Sequence, residues 1–438
     1  MCSPALSSSC TTLADTHDFV IVGGGIGGLV LARCLILGGR SVLIAEASDH
    51  LGGTVARHTV AGIELDAGAE SFATRGDTVA ALARTLKLEA DIVEPNPAGA
   101  WLQPASGGAF RLPENSLLGI PGSPLARDVL AIIGSRAGFR AYADTLIPAS
   151  VGSKAATLGE LVRRRMGAAV VDQLVRPIAR GVHSADADEL PVDQVVPGLR
   201  AAIRRARSLS RAVLDLRATS ARAGSAVAGI RGGIYRIVDQ LQSDLERFGV
   251  DIRLGAPATR IEADSIHLGD RRESGRVIVA APGVLGGAAA GSRVVLATLV
   301  VDQPELDAAP RGTGVLVAEG AAGIRARALT HATAKWEWLA RRAEGRHVLR
   351  LSYDAEDADA HDDRGLAEIA RADAAALLGV PIPASAVEGF ARVAWYRPAR
   401  VATTPDGIPL AGETIAGTGL ANVVARSEAL AGILLTDA

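Results

Sequence analysis

An α/β fold is predicted by three observations: a β-branched run ending in a glycine triad, an apolar stretch of helix length behind it, and a second β-branched run closed by an acid. Residues 19–22 (FVIV) read as a buried parallel strand. Gly23-x-Gly25-x-x-Gly28 follows, and Ile26, Leu29, Val30, Leu31 and Leu35 continue as an apolar helix that Gly38-Gly39 can stop. Residues 41–45 give the second strand, and Glu46 ends it. These parts make the βαβ dinucleotide fingerprint. Gly23 permits the tight turn, Gly25 lets backbone approach a pyrophosphate, and Gly28 lets helix and strand pack closely. The helix N-terminus offers unpaired N–H groups to phosphate. Glu46 follows Gly28 by 18 positions. Its carboxylate can accept hydrogen bonds from both ribose hydroxyls and would repel a 2′-phosphate.

The 438 residues exceed one compact core, so two or three domains are expected. A net charge of −2 gives no global push toward nucleic acid or acidic lipid. The three cysteines, Cys2, Cys10 and Cys34, all precede residue 35. That excludes a disulfide framework and a late cysteine for covalent flavin attachment, and it fits a reducing, cytoplasmic setting. Residues 1–17 are Ser/Thr-rich without a signal peptide's charged start and apolar core, and are read as a disordered leader. The apolar stretches 19–37 and 277–301 each contain glycines and an arginine, so neither is read as a transmembrane span.

Four further stretches extend the nucleotide site. After Glu46 comes ASDHLGG, with Gly52 and Gly53. Residues 62–72 (GIELDAGAESF) read as a strand ending in a small-residue turn. Residues 249–262 and 276–282 read as two more strands of the nucleotide sheet, and residues 409–434 as strand, glycine turn and helix. With AEASDHLGG, DAGAESF, WLQPASGGAFRLPENSLLGIP, TLGELVRRRMGAAVVDQLVRPIARGVHSADADEL, RGGIYRIVDQL, HATAKWEWL and LAGETIAGTGLANVV, the chain resembles the FAD-dependent amine oxidase-like superfamily. Within it the closer resemblance is to the oxygen-dependent coproporphyrinogen III and protoporphyrinogen oxidases, chiefly the soluble bacterial coproporphyrinogen III branch.

That resemblance implies non-covalent FAD and a role for each matching position. Gly23, Gly25, Ile26, Gly27 and Gly28 would wrap the pyrophosphate, and Glu46 and Ala47 would hold the adenosine end. Gly53 and Thr54 would lie beside the cofactor, although the family usually carries Lys or Arg at the second position. Gly68, Ala69, Glu70 and Ser71 would pass near the flavin, Ala258 would sit by the adenine, and Trp395 would lie near the isoalloxazine. Gly412, Glu413, Gly417, Thr418, Gly419 and Leu420 would face the flavin with backbone N–H groups. Arg180 and Lys335 are candidates for substrate propionates. A second departure is a shortened bridge between Trp395 and the last glycine motif.

The implied organisation is a discontinuous Rossmann-type FAD-binding domain (18–90, 226–288 and 392–438), a helical subdomain (91–225) and a mixed α+β substrate-binding sheet domain (289–391). Thr157-Leu-Gly-Glu160 reads as a capping box. Ile234, Ile237, Val238, Leu241 and Leu245 form the apolar face of a helix that Gly249 can end. Strand-like runs at 294–301 and 347–352 and a helix near 366–378 fill the substrate domain. Arg200, Arg204, Arg207 and Arg211 share one helical face within a run of arginines from 200 to 231, a solvated face or a basic lid over a polycarboxylate. The acidic run 354–363 reads as a solvated loop rather than a metal site, and His183 and His331 as structural polar residues.

The expected function is oxygen-consuming oxidation of coproporphyrinogen III in heme biosynthesis, with release of hydrogen peroxide. Protoporphyrinogen IX oxidation, an amine oxidase or desaturase, and a weakened tetrapyrrole-binding paralogue are the alternatives. The expected partners are a porphyrinogen and O2, with transient contact to another heme-synthesis enzyme. Neither nucleic acid nor metal is expected.

Overall fold

Of the run THDFVIV, the last four positions are wholly buried, and the strand Thr16–Val22 they form lies inside a six-stranded sheet. The computed structural model describes residues 16–74, 76–183, 185–221, 227–284, 291–397 and 407–437. The leader therefore lies outside the described residues up to 15, while Thr16 and His17 already belong to the strand. Residues 398–406, most of the shortened bridge, also lie outside the described residues.

The chain divides into one unit of residues 1–56, 235–291 and 398–438 and a second of residues 57–234 and 292–397. In the first, the strand order is Asp251–Arg253, Val42–Ala45, Thr16–Val22, Arg271–Val279, Ser265–Leu268 and Ala258–Ile261. Four of these strands run parallel. Ser265–Leu268 runs antiparallel to both of its neighbours, so residues 249–262 supply two strands of the same sense, at opposite edges of the sheet, instead of one. The stretch 19–37 resolves into strand, turn and the helix Ile26–Leu37. That helix is apolar nearly all round because it is covered by the sheet and by the helices Tyr235–Arg247 and Leu420–Thr436. Arg33 Nε donates to Asp244 at 2.9 Å across the first of those contacts. The expected strand near 409 is a single bridge, Val279 to Leu410.

The second unit centres on a seven-stranded sheet, in the order Val387–Arg397, Ser292–Val301, His347–Asp354, Ala328–His331, Gly314–Val317, Trp101–Gln103 and Phe110–Arg111. Every pairing is antiparallel except Gly314–Val317 with Trp101–Gln103. Alternation along His347–Asp354 sends Leu349, Leu351 and Tyr353 under the helix Asp363–Leu378. Val348 and Arg350 point to the other face, where Val60, Ile63 and Trp336 pack.

A helical cluster spans Arg127–Tyr142 to Leu209–Ala221. Thr157 Oγ1 accepts from Glu160 N at 3.3 Å, as the capping signal requires. Glu160 Oε2 reaches past the cap residue to Ala156 N at 2.9 Å, so the box closes one position early. The arginine face is not continuous: Arg207 adopts φ +61° and separates Leu199–Ala206 from Leu209–Ala221. Arg222 lies outside the described residues. Among the described residues, no helix is long and apolar enough to cross a membrane.

Candidate functional site

The glycine loop is pinned by backbone bonds from three segments. Gly23 N donates to Ala45 O at 2.8 Å, and Gly52 N to Gly24 O at 2.8 Å. Gly24 N donates to Glu46 Oε2 at 2.6 Å. Ser48 N and Oγ donate to Glu46 Oε1 at 2.8 and 2.7 Å. A carboxylate offers about four acceptor positions, so Glu46 keeps capacity for one further donor. Glu46 N also donates to Arg253 O at 2.9 Å, and Ala256 N to Glu46 O at 2.8 Å. These bonds bring Glu46, Ala47 and the segment leading to Ala258 to one end of the sheet.

Gly25 caps the 12-residue helix Ile26–Leu37 with φ −68° and ψ 169°. A Cβ there would meet no atom within 4 Å. That open space adjoins a helix N-terminus, whose unpaired N–H groups and dipole favour phosphate. The cradle fits a dinucleotide pyrophosphate. Gly28 differs: a Cβ there would land on the carbonyl oxygen of Gly23, well inside contact distance. A Cβ on Gly27 would come within 2.7 Å of Gly412 Cα, so the first and last glycine segments touch. A Cβ on Gly53 would stand 3.4 Å from Gly25 Cα, which places Gly53 and Thr54 beside the loop. Gly412 leads into the short helix Glu413–Ala416, and Gly417, Thr418 and Gly419 lead into the 17-residue helix Leu420–Thr436.

In the second unit, Gly68 to Ser71 follow the strand Ile63–Asp66 and are held by side chains far along the chain. Arg350 Nη2 donates to Gly68 O at 2.7 Å, and Trp395 Nε1 to Ala67 O at 3.3 Å. Glu70 accepts from Lys335 Nζ at 2.6 Å and from Arg350 Nη1 at 2.8 Å. Burial pushes the Glu70 carboxyl up, but Lys335 and Arg350 outweigh it and hold it at about 2. Lys335 is thus partly neutralised rather than free. Arg180 belongs to another group, 3.2 Å from Asp186 and 3.3 Å from Glu319.

The sequence reading missed Arg350, although an arginine inside the buried run HVLRLSYD was its signal. It also missed that His331 Nε2 lies 3.1 Å from His347 Nδ1, with Asp307 Oδ1 3.3 Å from His347 Nε2. His331, Thr333, Lys335 and His347 line a cleft of about 680 Å³. The side chain of His183 lies outside the described residues. Burial, then the His347 charge, lowers the His331 pKa to about 3. Burial, then the Arg350 charge, lowers that of His58 to about 4. Both lie below the ordinary 6.5. The unfolded chain therefore binds protons that the folded chain refuses as pH falls below that value. Thermal unfolding between pH 7 and 4 is expected to show stability declining below about pH 6.5, and His58→Phe should shallow that decline.

Residues 26–288 match the family described as "Flavin containing amine oxidoreductase". A coproporphyrinogen III oxidase of Mycobacterium leprae (strain TN) is 30% identical over 348 residues, 73% of this chain and 74% of that protein. The coproporphyrinogen III oxidase of Propionibacterium freudenreichii subsp. freudenreichii is 28% identical over 331 residues, 68% of this chain. The match spans 61% of that relative's own length. An Exiguobacterium sp. 255-15 structure, itself only provisionally named a protoporphyrinogen oxidase, superposes with a TM-score of 0.83 at 22% identity, covering 97% of this chain and 100% of that one. At that identity the likeness shows the fold alone, a mixed α/β fold shared with flavin-dependent amine oxidases. With its glycine cradle, Glu46 and the family match over residues 26–288, the chain belongs to the flavin-containing amine oxidoreductase family.

Proposed function

We propose that the chain is an FAD-dependent oxidase that converts a porphyrinogen, coproporphyrinogen III first, to the porphyrin with oxygen as acceptor. The observation that carries this reading is the open cradle at Gly25 beside Glu46, in a chain whose relatives are named coproporphyrinogen III oxidase. Gly23 to Gly28 would hold the pyrophosphate of FAD, Glu46 and Ala47 the ribose, Ala258 the adenine side, and Gly412 to Leu420 the flavin through backbone N–H groups. Bound FAD supplies hydride acceptance from carbon and reoxidation by O2 with release of hydrogen peroxide. The same reading takes the attachment as non-covalent; burial and then the Glu428 charge push up the thiol of Cys34, the free cysteine among the described residues, which makes that side chain a poor nucleophile.

The protein's own share is to bind, orient and exclude. Lys335 gives one N–H to Glu70, and an ammonium carries three. It can therefore still meet a carboxylate of an anionic substrate at the 680 Å³ cleft it lines. A cytoplasmic location and hand-over to another heme-synthesis enzyme belong to the same reading.

The test mixes pure holoprotein with anaerobically prepared coproporphyrinogen III or protoporphyrinogen IX, admits air, and follows porphyrin fluorescence. Formation above the autoxidation control is expected, faster with coproporphyrinogen III. No excess with either substrate overturns the reading. Peroxide from amines alone would move the chain to the amine oxidases, and tight porphyrin binding without turnover would mark a weakened paralogue.

A further inference from the structure

We infer that His331 and His347 bind a divalent cation of the zinc type, with Asp307 as the carboxylate behind them. His331 ends the strand Ala328–His331, and His347 begins the strand His347–Asp354. The strands pair with His331 opposite Leu349 and Leu329 opposite Leu351. Alternation therefore sends Leu329, His331, His347, Leu349 and Leu351 to one face. The three leucines enter the core that the helix Asp363–Leu378 covers. At the end of the same row two imidazoles, 1% and 6% exposed, stand where apolar side chains would continue the pattern. Burying them costs free energy unless their nitrogens are used.

Hydrogen bonding alone does not use them fully. His331 Nε2 lies 3.1 Å from His347 Nδ1, with the ring planes at 62°. That contact shares a single N–H. His331 Nδ1 is buried and has no hydrogen-bond partner, whereas a polar side chain buried for structure has its groups paired. The same spacing suits a cation. Nitrogen ligands lie about 2.0–2.1 Å from zinc, so two on one ion stand about 2.9 Å apart at a right angle and about 3.3 Å apart at the tetrahedral angle. His347 Nε2 lies 3.3 Å from Asp307 Oδ1. A carboxylate in that place fixes the tautomer of a ligating histidine and leaves its other nitrogen to the metal. Asp307 is held there by the turn Pro304–Ala308, which buried Leu306 anchors. With His347 assigned as Nε2–H, the shared proton belongs to His331 Nε2. Coordination moves it to Nδ1 of the same ring, and no proton is lost.

The pair lines the cleft of about 680 Å³ together with Glu94, Asp307 and Glu337, whose charges favour a cation. The cations of the same lining, Lys335 and Arg346, are paired with Glu70 and Glu388. Among the described residues no three such ligands stand together, so water fills the remaining positions and the ion is exchangeable. Imidazole suits zinc, copper and nickel, whereas magnesium and calcium take oxygen. The site does not depend on the porphyrinogen reading.

The test is calorimetric titration of FAD-loaded full-length protein with zinc chloride, with nitrogen-15 spectra of its histidine rings recorded before and after. Micromolar binding of one zinc per chain at this site is expected, indifferent to a roughly 100-fold excess of magnesium. The His331 and His347 signals should shift, and His331 should pass from the Nε2–H to the Nδ1–H form. His331→Gln and His347→Gln should each weaken binding roughly 30-fold, and Asp307→Asn about tenfold. His50→Gln, at an exposed histidine, should leave it unchanged. Circular dichroism and FAD content report whether each variant folds. Should either glutamine variant fail to fold, the Asp307→Asn titration and the parent's ring spectra decide the question. No zinc uptake overturns the proposal. Uptake that ignores His331, His347 and Asp307 marks an adventitious ion only, and overturns it too. Displacement by magnesium would assign the ion to the carboxylates of the cleft, with the same consequence.

Discussion

Gly28→Ala is expected to yield a chain that binds no FAD and is destabilised, whereas Gly25→Ala loses FAD and keeps its fold. The two glycines are three residues apart in one motif, but a side chain meets different neighbours at each. At Gly28 the new methyl lands on the Gly23 carbonyl, and backbone atoms there cannot turn aside as a flexible side chain would. Helix Ile26–Leu37 would have to move off the strand Thr16–Val22, at a cost of about 2–4 kcal/mol. At Gly25, φ of −68° and ψ of 169° suit any L-residue, and the methyl meets nothing. Its apo stability should stay within about 0.5 kcal/mol of the parent chain. The methyl would instead occupy the space proposed for the pyrophosphate, and FAD affinity should fall roughly 100-fold, about 2.7 kcal/mol. Thermal unfolding of the apo chains and FAD titration by flavin fluorescence separate the two outcomes. A Gly25→Ala chain that binds FAD as tightly as the parent would remove the pyrophosphate from this cradle.

Glu70→Gln is expected to be the most damaging change that preserves side-chain volume in the second unit. Glu70 is the shared partner of Lys335 and Arg350, and the three side chains are only 14%, 17% and 8% exposed. Removing the carboxylate charge leaves two cations in a desolvated place, and breaking such buried pairs costs about 3–5 kcal/mol. For a unit of this size the melting temperature should fall by roughly 5–10 °C. Lys335→Met in the Glu70→Gln background should recover part of the loss, because one stranded charge is then gone. The pH dependence has a definite sign. Glu70 sits at about 2 when folded, against 4.5 for the ordinary group. Its contribution is therefore fully present above about pH 4.5 and is lost as pH falls toward 2, roughly 3 kcal/mol in all. Glu70→Gln should lack that acid limb. An unchanged melting temperature and acid limb would contradict the account of this cluster.

The parts legible in the sequence are those whose partners lie close along the chain. The glycine spacing, the acid at Glu46 and the strands around them are set by a few tens of residues, and the structure joins them by direct bonds such as Gly24 to Glu46. Glu70 was legible as a position in a motif, but its partners were not. Lys335 and Arg350 lie 265 and 280 positions away, and only the folded sheet brings them together. The arginine run misled for a local reason. Helical periodicity predicts one face from Arg200 to Arg211, yet Arg207 turns left-handed and splits it. Alternation in residues 347–352 identified a strand, while the burial of His331 against His347 depended on which neighbouring strand His347–Asp354 pairs with.

The most direct measurement is the visible absorbance spectrum of the purified chain, before and after anaerobic addition of coproporphyrinogen III. A flavin spectrum at one FAD per chain, bleached by the porphyrinogen and restored by air, is the predicted result. A colourless chain that takes up no added FAD, or a bound flavin that porphyrinogen never bleaches, would contradict the proposed oxidation.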